Sequence, residues 1–296
     1  MSEEQYDFNA AYHNDRFPRS NQYDGKWVAE NQMGPNALWL TEWLTEEMPL
    51  EAGMRVLDMG CGTAMTSIFL AKEFGVTVFA NDLWIAATEN WKRIVEAGVA
   101  DRVFPIHAEA HALPYADDFF DAIVSLDSYQ YYGTDDLYLN RFVKLLKPGG
   151  QIGIVVPGLM REFPDGTPPE HFTRVQSNGV SFWADDCWSF HTVEWWRTHW
   201  GHSSLVEVEL ADTLEDGCKH WLLHEKVKPP EKRVCPFPPD IECLEADGGR
   251  YIGFVRMIAR RKEEGQWVST RRTPTISTCM SRRSTTASRR RPTTSH

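Results

Sequence analysis

The chain has 296 residues, 42% of them hydrophobic, enough to bury the core of one large or two small domains. No run of eighteen apolar residues occurs, the start MSEEQYDFNAAYHND is acidic rather than signal-like, and the six cysteines form no C-x-x-C pair; stable membrane insertion, a disulfide scaffold and a zinc finger are excluded, and a cytoplasmic protein with reduced thiols is expected. The formal charge is −11, yet seven of the 31 basic residues fall after Gly265 in a Ser/Thr-rich stretch without acids, so the remainder sits near −18, a surface that repels nucleic-acid phosphates.

Residues 1 to 35 are polar and aromatic with weak periodicity, and read as an N-terminal arm or lid. NALWLTEWLTEEM places Leu38, Leu40, Trp43, Leu44 and Met48 near one helical face. Then strands and helices alternate: RVLDMG, a helix from Thr66, VTVFAND, a helix through ATENWKRIVEAG, RVFPIHAE, DDFFDAIVSLDS, a helix through DLYLNRFVKLL, and QIGIVVPG after the turn KPGG. Such alternation predicts a doubly wound parallel sheet with right-handed crossovers. After Gly158 the composition shifts to Pro, Trp and His, an aromatic-rich insertion over about 159–200 that ends in the helix VEWWRTHWG. The strands SLVEVELAD and RYIGFVRMIARR complete seven, and the domain is expected to span 36–262. Residues 263–296 have too few apolar side chains to bury and read as a disordered tail.

The informative turn is VLDMGCGTAMTS, where a buried strand turns into a helix through Gly60 and Gly62. Glycines let backbone approach a ligand closely, and the helix start offers unpaired N–H groups. Met65 stands where a dinucleotide loop has its third glycine, and no G-K-[ST] follows, which excludes a P-loop. Asp58 at the mouth of the turn would repel a pyrophosphate and attract an ammonium. A nucleoside carrying an amino-acid tail fits both conditions better.

These residues resemble the class I S-adenosylmethionine-dependent methyltransferases, in particular the small-molecule branch with the ubiquinone/menaquinone and sterol C-methyltransferases and the cyclopropane fatty acid synthases. The resemblance is close over roughly 35–158. It implies a Rossmann-like seven-stranded α/β sheet, mostly parallel with an antiparallel C-terminal strand, and S-adenosyl-L-methionine as cofactor. It further implies that Gly60 and Gly62 pack under the cofactor, that Asp58 faces its amino group, and that Asp82, ending VTVFAND, accepts from both ribose hydroxyls. Leu83 and Trp84 would line the adenine, with Glu109 and Ala110 in HAEAHALPY supplying the adenine loop. DDFFDAIVS and LLKPGGQIGIV match the fourth-strand and fifth-strand motifs. Tyr23, Asn31 and Gly34 of the arm are cofactor contacts by the same resemblance.

Methyl transfer is an in-line displacement on an activated carbon, so the protein must mainly align acceptor and donor and exclude water. Asp127, Ser128, Tyr129, Tyr131 and Tyr132 follow the fourth strand directly and are expected beside the reactive methyl. Phe182, Trp183, Trp188, Phe190, Trp195 and Trp196 add rings that could cage a sulfonium or a flat acceptor, although core packing accounts for part of them. Tyr129 and His191 are the expected catalytic handles, with no metal. The expected activity is methyl transfer to a small-molecule acceptor; a lipid methyl or methylene transferase and a non-catalytic cofactor-binding protein on the same fold are the alternatives.

Overall fold

A computed structural model of the chain describes residues 6–235 and 238–263; the expected tail lies outside them apart from its first residue. The arm forms two short helices, α1 (Phe8–Tyr12) and α2 (Gly25–Asn31), where the sequence showed only weak periodicity. Asp7 and Asp24 start them by accepting from the N–H groups of Ala10 and Trp27, an N-cap that needs no amphipathic repeat. Asn36 does the same for α3 (Ala37–Glu47), whose Leu38, Leu40, Trp43 and Leu44 are buried as the spacing predicts.

The expected alternation follows: β1 (Arg55–Met59), α4 (Met65–Phe74), β2 (Thr77–Asp82), α5 (Ala87–Glu96), β3 (Val103–His107), β4 (Phe120–Leu126), α6 (Tyr138–Phe142) and β5 (Leu146–Leu159). The later part adds α7 (Glu170–Thr173), α8 (Val193–Gly201), β6 (Val206–Thr213), α9 (Gly217–Glu225), α10 (Ile241–Asp247) and β7 (Ile252–Arg261). α9 and α10 were not foreseen.

The seven strands form one sheet in the order β3-β2-β1-β4-β5-β7-β6. β1 pairs in parallel with β2 and with β4, β4 with β5, and β7 runs antiparallel to both of its neighbours. This is a Rossmann-like, mostly parallel sheet with one antiparallel strand, as the sequence predicts. Successive strands run outward on one side from β1 and on the other from β4, so the loops leaving the C-terminal ends of these two strands diverge and open a crevice. Two apolar clusters cover the sheet: one gathers the arm, α3 and α4, and the other gathers α6 and α8 around Tyr129, Trp196 and Trp200. Among the described residues no helix is long and apolar enough to cross a membrane.

Candidate active site

A cavity of about 320 Å³ occupies that crevice. Its walls come from the turn after β1 (Gly60–Thr63), the end of β2 (Asp82–Trp84), the segment after β3 (Glu109–His111) and the residues after β4 (Asp127, Ser128, Tyr131, Tyr132); the arm closes it with residues 31–35. Among the described residues no lysine or arginine lines it.

The turn is held from below and from both sides. Gly60, Gly62 and Ala64 all have positive φ, 76°, 53° and 63°, conformations that a side chain tolerates poorly and that let the chain reverse within five residues. The N–H groups of Gly60 and Cys61 donate to the Asn81 carbonyl at 2.8 and 3.0 Å, which ties the turn to the end of β2. A Cβ at Gly60 would fall 1.9 Å from Ser128 Oγ, so the turn can approach the β4 loop only with glycine there. α4 begins without a side-chain cap, which leaves its first N–H groups and their partial positive charge facing the cavity through Met65 and Thr66.

Asp82 braces two loops at once. Its Oδ2 accepts from the Gly62 N–H at 2.8 Å, and its Oδ1 accepts from the N–H groups of Trp84 and Ile85 at 2.7 and 2.8 Å. A carboxylate offers about four acceptor sites. Three are taken by backbone, which leaves acceptor capacity on Oδ2 for a further donor.

Asp58 departs from expectation. Its side chain does not line the cavity but is buried beneath the turn, where Oδ2 accepts from Ser67 Oγ at 2.6 Å and Oδ1 is buried without a hydrogen-bond partner. Burial pushes its carboxyl up to about 7, opposed by the Ser67 bond. Asp127, in the left-handed region at φ 48°, lines the cavity beside the arm. It accepts from Gln130 Nε2 at 3.1 Å, and desolvation, opposed by that bond, pushes it up to about 7 as well. A Cβ at Gly34 would lie 2.2 Å from Asp127 Oδ2, so glycine lets the arm close over this oxygen.

The arm is pinned where it meets the cavity. Thr63 Oγ1 donates to the Asn31 carbonyl, Arg93 Nε donates to Asn31 Oδ1 at 2.9 Å, and His224 Nε2 of α9 donates to the Gly34 carbonyl at 3.1 Å. Asn31 and Gly34 therefore line the cavity, together with Gln32, Met33 and Pro35, which sequence reasoning did not assign to it. Tyr23 does not line it; its hydroxyl donates to Glu73 on the outer side of α4. Leu83, Trp84 and Ala110 line it as expected, and Trp84 is largely exposed at its mouth. Glu109 does too, with its carboxylate engaged by the His111 ring at 2.7 Å and held below the usual range by that bond.

The two expected catalytic residues are not brought to the cavity. Tyr129 starts a 3-10 turn that rotates its ring down into the core, where it is fully buried against Tyr132, Tyr138, Trp196 and Trp200. Its hydroxyl lies beside the Trp200 indole without a hydrogen bond of good geometry. Tyr129→Phe is accordingly expected to leave the melting temperature unchanged or slightly raised, since the substitution removes a poorly satisfied buried group and no packing. A fall of more than about 3 °C in thermal denaturation, on the order of 1 kcal/mol for a chain this size, would show a bond that the geometry does not. His191 stacks on Trp195 at 3.7 Å, away from the cavity, and burial followed by the neighbouring His199 pushes it down to about 4, too weak for a general base at neutral pH. Of the aromatic insertion, Phe182, Phe190 and Trp196 are core, and Trp188 is exposed elsewhere. The rings that do reach the cavity are Trp84, Tyr131 and Tyr132.

Comparison with known proteins agrees with this geometry. Residues 56–150 match the family model described as a methyltransferase domain. Methyltransferase GfsG of Streptomyces halstedii is 34% identical over 142 residues, which cover 45% of this chain and 50% of that protein. Demethylmenaquinone methyltransferase of Clavibacter sepedonicus is 28% identical over 224 residues, 70% of this chain and 86% of that protein. Among solved structures, phosphoethanolamine N-methyltransferase 2 of Haemonchus contortus, in complex with phosphomonomethylethanolamine and S-adenosylhomocysteine, superposes with a TM-score of 0.61 at 18% identity over 88% of this chain and 61% of that one, a likeness of fold. The chain spans about half the length of the Streptomyces relative. The matched region, 56–150, lies within the mixed seven-stranded sheet, so the chain carries a stretch similar to a methyltransferase domain on a sheet with the fold of that solved structure.

Proposed function

We propose that the chain transfers a methyl group from S-adenosylmethionine to a small, uncharged or cationic acceptor, by alignment in a closed cavity and without a side-chain base. The observation that carries this reading is the charge pattern of the cavity: carboxylates at Asp82, Glu109 and Asp127, the uncapped start of α4 and, among the described residues, no lysine or arginine. An amino-acid end has one charge of each sign. Its carboxylate suits the partial positive charge at the start of α4, and its ammonium suits Asp127 across the arm. A phosphate-bearing nucleotide would set its charge against the carboxylates of Asp82, Glu109 and Asp127 with no lysine or arginine among the lining residues to offset them.

The cofactor, when bound, supplies a methyl carbon already activated by its sulfonium. What remains for the protein is placement and dryness. Gly60 and Gly62 keep the turn low beneath the ligand, Met33 and Met59 line the walls with polarisable apolar surface, and Tyr131 and Tyr132 add aromatic side chains, a residue type that can attract a cation. Tyr132 is held in place by its hydroxyl, which pairs with Ser125 Oγ at 3.0 Å, and burial keeps its phenol protonated. The one histidine lining the cavity, His111, is bonded to Glu109. An acceptor that is already nucleophilic suits such a site, and the acidic surface argues against nucleic acid. A cytoplasmic setting suits the buried free thiols of Cys61, Cys187, Cys218 and Cys243.

The test has two arms. In calorimetry the full chain should bind S-adenosylmethionine and S-adenosylhomocysteine but not NAD. Incubation with methyl-labelled cofactor and a fractionated metabolite extract should then place label in a low-molecular-weight product. Absence of binding by either nucleoside sinks the reading as a whole; binding without transfer to any fraction sinks the catalytic part and favours a cofactor-binding protein.

A further inference from the structure

Behind the cavity, the loop that follows Tyr132 packs on the end of α8 and brings together three side chains that the transferase reading does not use. They are Asp136 from the loop and His199 and His202 from α8 and its C-terminal boundary. One donor atom from each lies within 4.8 Å of the other two.

The orientation of His199 follows from its partners. Its Nε2 lies 2.9 Å from the Gly133 carbonyl, which can only accept, so Nε2 carries the proton. In the neutral imidazole Nδ1 is then a bare acceptor, and it points at Asp136 Oδ1 3.6 Å away. That separation is too long for a direct hydrogen bond, so the two atoms face each other across a gap. Trp195 stacks on the His199 ring at 4.6 Å and 19°, which fixes the ring plane, and the side chain is only 7% exposed. With Nε2 turned to the carbonyl, Nδ1 and the Asp136 carboxylate stand at a spacing that one small cation can bridge, with His202 in reach of both.

We propose that Asp136, His199 and His202 bind a divalent transition-metal ion of the zinc class. Two imidazoles and one carboxylate are a borderline-soft donor set that suits zinc, cobalt or nickel rather than calcium or magnesium. The carbonyl behind His199 is the outer-shell partner that metal-bound histidines characteristically have. Donors of a tetrahedral zinc site stand roughly 3.3 Å apart, given bonds of about 2.0–2.1 Å. The 3.6 Å pair is already near that spacing, and Asp136, whose side chain is 86% exposed, is free to close the rest together with the exposed His202. An ion held there clamps the 133–136 loop to α8 and so steadies Tyr131 and Tyr132 from behind. The site rests on its own geometry and not on the transferase reading.

Zinc titration of the metal-stripped full chain, in competition with a chromophoric chelator, tests it. The wild-type chain should take up one zinc ion, and His202→Ala and Asp136→Asn should each weaken that uptake by at least about tenfold, the lower bound set by what loss of an outer-shell partner alone brings. Both replaced residues are exposed, so without zinc their melting temperatures should equal the wild type's, whereas the upward shift on adding zinc should be smaller in the variants than in the wild type. Failure of the wild type to compete with the chelator overturns the assignment. So does uptake that is unchanged in both variants, which would place the ion elsewhere.

Discussion

Asp82→Ala is expected to weaken S-adenosylhomocysteine binding by at least about 100-fold, roughly 2.7 kcal/mol, the largest single effect among the cavity residues. The reason is its position between two loops rather than its charge alone. It holds the Gly62 N–H on one side and the Trp84 and Ile85 N–H groups on the other. Hydrogen bonds to a charged group contribute about 1.5–3 kcal/mol each, and removal leaves three partly buried donors unpaired. The glycine turn is then tied to the β2 end only through the Asn81 carbonyl, and the cavity loses part of its fixed floor before any ligand contact is considered. Asp82→Asn separates brace from ligand contact. Its one carbonyl oxygen can still accept from Trp84 and Ile85, but its NH2 faces the Gly62 N–H, so melting temperature should fall less than in the alanine variant while affinity falls nearly as far. Calorimetry and thermal denaturation of both variants check this. If Asp82→Ala binds within about threefold of the wild type, less than a single net hydrogen bond contributes, the brace is not needed.

Residues whose role is fixed by the backbone path were readable in the sequence. Gly60, Gly62, Asp82 and the β4 and β5 segments fall at strand ends that the alternation of elements locates, and the topology does the rest. Side chains whose direction depends on a local turn were not. Tyr129, Tyr131 and Tyr132 are neighbours in sequence, yet the 3-10 turn over Tyr129–Tyr131 sends the first into the core and leaves the others on the cavity. Ring density in the 182–196 stretch likewise says nothing of facing, and most of those rings pack inward. Asp58 was misread for a related reason: a strand-end acid can point up to the crevice or down beneath the turn, and Ser67 one helical turn into α4 decides for the latter. The arm's contribution was hidden because α1 and α2 are set by caps, and because the partner of Gly34, His224, is 190 residues away on a helix with little amphipathic signal.

Asp127 leads to a prediction that does not depend on finding the acceptor. Its carboxyl is pushed up to about 7 by desolvation, against an ordinary value near 4, so in the free protein at about pH 6 it holds its proton. The folded state thus binds more protons than the unfolded one between those values, and this group's contribution to stability is lost as pH rises through about 7. A ligand that brings an ammonium or sulfonium against it reverses the balance, because a nearby cation favours the charged form. Binding of S-adenosylmethionine should therefore release close to one proton at about pH 6, and affinity should rise with pH up to about 7 and then level. Calorimetry in two buffers of different ionisation enthalpy measures the release directly. Asp127→Asn should abolish it and weaken binding, while the free variant should be more stable than the wild type at about pH 8, where the wild-type carboxyl is charged in a desolvated site, and not at about pH 4. Asp58 supplies the control, since burial also raises it to about 7 but it lies beneath the turn. Asp58→Asn should leave proton release intact. If Asp58→Asn removes the release and Asp127→Asn does not, the ammonium is sensed from below the glycine turn, and the sequence-based placement of Asp58 was the better one.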